Sequence, residues 1–358
     1  MSTSTPATKV EKPIPAPRRP WLSTTRQRSE NVAILVIAAL IDVLLVEVTP
    51  LKGKLAYVGL YLIIYPLLDY LIVRLQRGAS AAKDVVFRAL ASFAMATAML
   101  PILSILWTVW ARGHKGLHWN LFTQDMHSAS VTDPVLTHGG LTHAIIGSVL
   151  IVASALVFSV PIGLLTAIYL TEIQGRFTRP IKFLVQSMSG VPSIVAGLFI
   201  LAAVVYPLTK TFNGFEGSLA LAILMVPTIA RTAEEVLLLI PHDLRETGLA
   251  LGGTQWRTVQ QIILPAARSG LVTAMILGIA RVAGETAPIV LLTGGGDTTN
   301  WNLFHGPMGT LPFYIWKGCG AGTEESFQRA WTGSLVLLVV VLVLFALARF
   351  LGGRRSSK

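Results

Sequence analysis

The sequence has few charged residues and a single cysteine. Asp, Glu, Lys and Arg together make up 13% of its 358 residues, whereas about 25% is usual for a soluble protein. The one cysteine, Cys319, has no partner within the chain, which excludes an intrachain disulfide. Once the apolar runs are set aside, no stretch is left that could form a soluble domain of useful size. The composition therefore excludes an ordinary soluble globular protein.

Several common kinds of site are also missing. The P-loop pattern G-x-x-x-x-G-K-[ST] does not occur, so the chain cannot hold ATP phosphates in that way, and we expect it to bind no cofactor itself. The histidines have no nearby cysteines and no dense set of carboxylates, so we expect no metal site. We find no nucleophile–base pair that would indicate an intramembrane enzyme, and we expect no catalytic residues.

Apolar runs dominate what is present. The sequence is 53% hydrophobic with a mean hydropathy of +0.65, and several runs approach the roughly 20 residues that cross a bilayer as a helix. We predict an all-α polytopic membrane protein with about eight transmembrane helices. The predicted spans cover residues 32–48, 55–75, 87–110, 141–170, 183–208, 218–239, 271–293 and 332–350.

The basic residues lie between these runs, and their placement predicts the orientation. The formal net charge is +11, but the pattern is typical of juxtamembrane anchoring and not of a nucleic-acid-binding face. With the N-terminus in the cytoplasm, roughly 21 Lys and Arg fall on inner segments and roughly 7 on outer ones, which satisfies the positive-inside rule. An even number of spans then places both termini in the cytoplasm. The predicted domains are a disordered basic tail (1–30), a transmembrane hairpin (31–76), a main transmembrane domain (87–351) and a short tail (352–358).

The polar stretch after the sixth span has the signals of a defined helical loop. Asp243 stands at a predicted N-cap with Glu246 three residues on, which is a capping-box arrangement. Gly252 suits a left-handed C-cap. Thr254 is expected to cap a second helix that ends before Pro265. Because leucines recur on this segment outside the bilayer, we expect a protein partner to cover it.

Residues in this stretch carry a family resemblance. Glu246, Gly252 and the run Ile262-Ile263-Leu264-Pro265 resemble, in type and spacing, the EAA loop of ABC-importer permeases. Thr247-Gly248 replaces the two alanines of that motif. The resemblance implies that the loop 241–266 forms a coupling helix that contacts a separate ATPase subunit, which uses Mg-ATP. The residues that it assigns to this contact are Leu244, Arg245, Glu246, Leu249, Ala250 and Gly252.

An arginine and a glutamate lie inside the predicted seventh span. Arg281 and Glu285 are four residues apart, which places them on one helix face. An arginine at mid-membrane costs about 2.5–3.5 kcal/mol on insertion scales, so it should face the bundle interior or a wet path. One interpretation is a salt bridge that ties helices together. The other is a path for an oxyanion, which a guanidinium binds in bidentate fashion. Gly284, which allows close backbone approach, and Pro288, which loosens the helix, favour the path.

The residues around this pair narrow the family. The run 280–288, Ala-Arg-Val-Ala-Gly-Glu-Thr-Ala-Pro, resembles the seventh-span motif of PstA, a permease family of phosphate ABC importers; segments 189–199 and 311–315 agree with it. The resemblance implies a type I ABC-importer permease fold in the bacterial cytoplasmic (inner) membrane, with Arg281, Glu285 and Thr286 on the substrate path. The implied partners are a PstC-like permease, two copies of a PstB-like ATPase, a PstS-like phosphate-binding protein and membrane lipid. The two N-terminal helices depart from the family's usual six spans.

Two alternatives remain open at this point. The first is a permease of another oxyanion importer, for sulfate or molybdate, which the same guanidinium chemistry would suit. The second is an ion-coupled secondary transporter that works alone; such a protein would leave the capped loop 241–266 without a purpose.

Overall fold

The computed structural model describes residues 25–48 and 54–353, and these residues form helices joined by loops, with no named strand among them. This confirms the all-α prediction. The α-helices are α1 (Thr25–Val48), α2 (Lys54–Arg77), α3 (Ala79–Gly113), α4 (Asn120–Thr123), α5 (Thr142–Ile168), α6 (Thr178–Ser189), α7 (Ser193–Ile200), α8 (Gly214–Leu238), α9 (His242–Ala250), α10 (Gln255–Thr258), α11 (Leu264–Val282), α12 (Ala287–Leu292), α13 (Leu311–Ala321) and α14 (Glu324–Gly353). Wider π-helical turns continue α5, α7 and α10 over Tyr169–Ile173, Leu201–Thr209 and Val259–Ile263.

The chain divides into two compact units between Leu103 and Ser104. In the first unit α1 packs against α2, and Arg88 of α3 donates a 2.5 Å hydrogen bond to the buried carboxylate of Asp69 in α2. Asp42 of α1 is buried as well.

The second unit is built around α5, α8 and α11. α5 and α8 pack along much of their length, and α11 packs on α8. A Cβ added at Gly163 of α5 or at Gly278 of α11 would come within 2.8 Å of the Ile229 side chain of α8. Small residues at these two points therefore let the three helices approach closely, as they do in many membrane bundles.

The apolar helices agree in part with the predicted spans. Five helices of the described residues are long and apolar enough to cross a membrane, and a bent helix pair makes six if it counts as one span. The five are Gly59–Arg77, Ala79–Gly116, Thr142–Ile173, Gln255–Val282 and Glu324–Phe350. The predicted first and sixth spans form α1 and α8, of 24 and 25 residues, which are not among them. Their crossing of the membrane stays a prediction.

The predicted fifth span, 183–208, is wrong as a single helix. α6 and α7 meet at an angle of 105°. Pro192 precedes α7 with an extended backbone (ψ 138°), and a proline disfavours helical backbone at the residue before it. α6 therefore cannot run on into α7, and the segment is a broken span or a re-entrant loop.

The predicted seventh span, 271–293, has different limits in the structure. It begins at Gln255 and ends at Val282. The start is earlier than predicted because Pro265 lies in the first turn of α11 and does not end the preceding helix. A proline is tolerated in a first turn, and the π-helical turn before it relaxes the hydrogen-bond spacing. The remaining part, α12, is a separate short helix.

The two predicted tails, 1–30 and 352–358, lie mostly outside the described residues. α1 begins at Thr25, inside the segment 1–30 that the sequence assigns to a disordered tail; the first turns of α1 are polar, so hydropathy alone does not locate its start. Residues 1–24, 49–53 and 354–358 lie outside the described residues. The domain limits stay a prediction.

Candidate functional site

A break between α11 and α12 positions the charged residues of the seventh span. α11 ends at Val282, and the next helical residue is Ala287. The backbone turns through the break with a 3.1 Å hydrogen bond from the Glu285 N–H to the Val282 carbonyl. Pro288 lies in the first turn of α12, where it supplies no N–H to the Gly284 carbonyl. The expectation that Pro288 loosens the helix here is confirmed.

The Arg281–Glu285 pair spans this break and is loose. The Arg281 Nη1 lies 3.7 Å from the Glu285 Oε1, and the side chains are 46% and 14% exposed. That distance suits an ion pair and is too long for a hydrogen bond. Within the part of the chain that the structure describes, the Arg281 guanidinium makes no hydrogen bond, so its N–H donors are available to a ligand.

Open space lies beside this pair. A Cβ added at Gly284 would meet no atom within 4 Å. Glu285 also borders a small crevice with Ser148 and Val152 of α5 and with Thr310. Thr286 stands next to the pair, and its hydroxyl lies 3.5 Å from the Gly284 carbonyl. The structure thus brings together Arg281, Glu285 and Thr286 at one helix break, with open space beside Gly284.

The polar loop 241–266 forms the short helix α9 and its surroundings. Asp243 is not the N-cap: α9 starts at His242 after Pro241, whose extended backbone (φ −56°, ψ 142°) makes it the cap without a side-chain bond. The other signals are confirmed. Gly252 is left-handed at φ 80°, and the Thr254 hydroxyl accepts a 3.3 Å hydrogen bond from the Arg257 N–H.

Most of the residues assigned to an ATPase contact are exposed. Leu244 and Leu249 are 38% and 52% exposed, and the neighbouring Leu251 is 82% exposed. Glu246, Ala250 and Gly252 are exposed too. A group of exposed leucines on a helical loop is a surface that a protein partner would cover.

Arg245 is the exception. Its side chain is 17% exposed and forms a bidentate ion pair with Glu172, whose side chain is 5% exposed. The Arg245 Nε lies 3.0 Å from the Glu172 Oε2, and the Nη2 lies 2.9 Å from the Oε1. The remaining donors reach the backbone carbonyls of Ile240 and Leu237 at 2.6 and 2.8 Å. The structure therefore turns Arg245 inward, away from the surface that the leucines form.

Glu172 is a residue that the sequence reasoning missed. It lies in the π-helical turn that continues α5. One signal could have found it: Glu172 is the only acidic residue between Asp133 and Glu216. An isolated carboxylate at the end of a long apolar run needs a partner, although the sequence does not show that this partner is Arg245, 73 residues further on.

The histidines between residues 114 and 138 make local contacts. His114 and His118 each place their Nδ1 2.8 Å from a backbone carbonyl, of Trp110 and Gly116 respectively, and His138 lies 3.3 Å from the Asp133 carboxylate. Among the described residues, no group of three or more His, Cys, Asp and Glu side chains could hold a metal ion.

Three features occur together here: a helical bundle with several apolar spans, a helix break that carries charged residues, and a polar loop with exposed leucines. This combination is typical of a membrane permease subunit. The chain matches, over residues 159–357, the family described as "Binding-protein-dependent transport system inner membrane component". It is 38% identical over 265 residues to the phosphate transport system permease protein PstA 1 of Mycobacterium tuberculosis, covering 72% of this chain and 84% of that protein. It is 35% identical over 242 residues to PstA of Haemophilus influenzae, covering 67% and 83%.

The chain belongs to the PstA family of phosphate transport system permease proteins. It is a multi-pass membrane protein. Among solved structures it is similar to a chain of the MetNI methionine ABC transporter in an inward-facing conformation. That match has 20% identity and a TM-score of 0.45 and covers 60% of this chain and 92% of the other.

Proposed function

We propose that this chain is the transmembrane permease subunit of an ATP-driven phosphate importer in the bacterial inner membrane. It forms half of the phosphate path beside a PstC-like permease. Two copies of a PstB-like ATPase bind and hydrolyse Mg-ATP, and a PstS-like protein delivers phosphate. Both termini lie in the cytoplasm, lipid surrounds the spans, and the chain itself catalyses no covalent reaction. The names of the relatives and the 280–288 motif support this proposal.

The observation that carries the proposal is the state of Arg281. Its guanidinium is half exposed at a helix break, next to open space, and its donors bond to no acceptor among residues 25–48 and 54–353. A planar guanidinium offers two parallel N–H donors to a tetrahedral oxyanion. The nearby Glu285 carboxylate holds the guanidinium by charge while it repels an anion. Binding then stays weak enough for release, as conduction requires.

The loop 241–266 connects this path to the ATPase. Leu244, Leu249 and Leu251 present apolar side chains that a groove on the ATPase would cover, and Glu246, Ala250 and Gly252 lie on the same exposed loop. Because an ATPase subunit changes shape during its cycle, a helix bound to it would move with it.

The proposal is tested with the four-component complex in proteoliposomes. Arg281→Gln removes the charged, planar guanidinium, which makes about two charge-assisted hydrogen bonds to the anion. Phosphate uptake should therefore fall about a hundredfold or more. Arg349→Gln is the matched control: Arg349 is an exposed arginine at the end of α14, and uptake should stay within about twofold of the wild type. Unchanged uptake by an assembled Arg281→Gln complex would remove this residue from the path.

The same preparation separates the two alternatives. Stimulation of ATP hydrolysis by sulfate or molybdate in place of phosphate would indicate another oxyanion importer. Uptake that follows a proton or sodium gradient without ATP would indicate a secondary transporter and would refute the proposal.

A further inference from the structure

We infer that the Arg245–Glu172 ion pair is the mechanical link through which the coupling helix α9 moves α5. Arg245 and Glu172 are positioning residues in this inference, since neither touches the anion. The inference rests on the proposed function, because it requires an ATPase to move α9.

The geometry of Arg245 joins three segments at one side chain. Its Nε and Nη2 hold both oxygens of Glu172, in the turn that continues α5. Its Nη1 and Nη2 also donate to the carbonyls of Ile240 and Leu237, at the end of α8. The last carbonyls of a helix have no partner within that helix, and a cation there also interacts well with the helix dipole. Arg245 of α9 thus caps α8 while it binds α5.

A second contact reinforces the same point of α5. The Gln255 side chain, at the start of α10, donates a hydrogen bond to the backbone carbonyl of Glu172. Glu172 is therefore held by its side chain from α9 and by its backbone from α10. Both helices belong to the loop that the ATPase would contact, so displacement of this loop pulls on one residue of α5.

Apolar packing reaches α5 from the loop through Val259 and Ile263, but among the described residues the direct polar contact between α9 and the turn that continues α5 is this ion pair. A crevice of about 230 Å³ lies between them, bordered by Glu172, Arg245, His242 and Leu249. Side chains across an open crevice do not transmit force, because they are not in van der Waals contact. The ion pair bridges this crevice with two hydrogen bonds of 2.9 and 3.0 Å.

From Glu172 the displacement can reach the anion site along one continuous helix, Thr142–Ile173. α5 carries Ser148 and Val152, which border the crevice that Glu285 also lines. At about 1.5 Å per helical residue, Glu172 and Ser148 are roughly 36 Å apart along α5. Gly163 packs α5 against Ile229 of α8 between these two points, so α5 and α8 move as a packed pair.

The experiment measures phosphate transported per ATP hydrolysed, on complexes isolated by gel filtration and reconstituted with the binding protein. Glu172→Gln removes the charge that holds Arg245 and should lower this ratio about tenfold while ATP hydrolysis continues. Arg245→Lys keeps the charge and loses the fork, so a fall of about threefold is expected. The control is Glu234→Gln, which breaks the Lys182–Glu234 pair (2.8 Å) and should leave the ratio within about twofold of the wild type.

The ratio separates coupling from folding, because a folding defect lowers the yield of complex and not the ratio of the complex that is recovered. An unchanged ratio in Glu172→Gln would overturn the inference. If Glu172→Gln does not assemble, Arg245→Lys decides in the same way. Failure of both variants to assemble, with Glu234→Gln normal, would make the pair a folding element and would also overturn it. If the wild-type complex does not couple phosphate uptake to ATP, the proposed function itself has failed.

Discussion

Two arginine–glutamate pairs in this protein have the same chemistry and opposite geometry. Arg281 and Glu285 stand 3.7 Å apart at a helix break, with the guanidinium 46% exposed. Arg245 and Glu172 are joined by bidentate hydrogen bonds, with side chains 17% and 5% exposed. Among the residues that the structure describes, the Arg281 donors bond to no acceptor, whereas Arg245 uses the donors on all three guanidinium nitrogens. An arginine can serve a ligand only where the protein does not already occupy its donors.

The largest contrast is expected in stability when each carboxylate is removed. Glu172→Ala leaves the Arg245 guanidinium largely buried without its counterion, which should cost about 3–5 kcal/mol. Glu285→Ala removes a loose and partly exposed pair and should cost about 0–1 kcal/mol. Denaturation of the purified complex in detergent measures both values. Equal losses in the two variants would break the comparison.

Arg281→Lys tests how far phosphate uptake depends on the planar shape of the guanidinium. Lysine keeps the positive charge but offers a point charge instead of a planar fork. Phosphate uptake should fall about tenfold, which is about 1.4 kcal/mol and well short of the loss expected for Arg281→Gln. Uptake rates in proteoliposomes measure this. A lysine variant as inactive as the glutamine variant would show that geometry matters more than charge.

Gly252, in the same loop as Arg245, and Gly284, beside Arg281, extend the comparison of the two pairs to the backbone. Gly252 is left-handed at φ 80°, so Gly252→Val should store about 1–3 kcal/mol of strain in the coupling loop and lower ATP-coupled uptake several-fold. Gly284 has a negative φ and open space around it, so Gly284→Ala should change stability by less than about 0.5 kcal/mol. Thermal denaturation and uptake of both variants measure these effects. Strong destabilisation by Gly284→Ala would contradict the open space beside Arg281.

The smallest expected effect concerns a carboxylate fixed outside the spans. Burial by itself raises the pKa of Asp125. This effect is outweighed by hydrogen bonds from the backbone N–H groups of Thr299 and His127 and from the Thr299 hydroxyl, so the pKa lies below its usual value. This contribution to stability is complete above the unfolded pKa of about 3.8 and is lost as the pH falls through the folded value. Asp125→Asn should slightly lower the thermal midpoint at pH 7. The difference from the wild type should shrink at pH 3, and a constant difference would contradict this account.

The loop 241–266 shows how much local sequence patterns can predict. Gly252 and Thr254 behave as predicted because their roles follow from local backbone geometry. Asp243 does not, since Pro241 supplies the extended residue one position earlier. The inward turn of Arg245 could not be predicted locally at all, because its partner Glu172 lies 73 residues away in the sequence.

The sequence by itself determined the class of this protein. Long apolar runs, the 280–288 motif and the loop 241–266 are local patterns, and local patterns suffice to indicate a helical permease of the PstA family. The tertiary structure decided which arginine is free and which is occupied, where the fifth and seventh spans break, and which loop residues face outward. These features depend on contacts between helices that are distant in the chain, and hydropathy, which is a local property of the sequence, does not indicate such contacts.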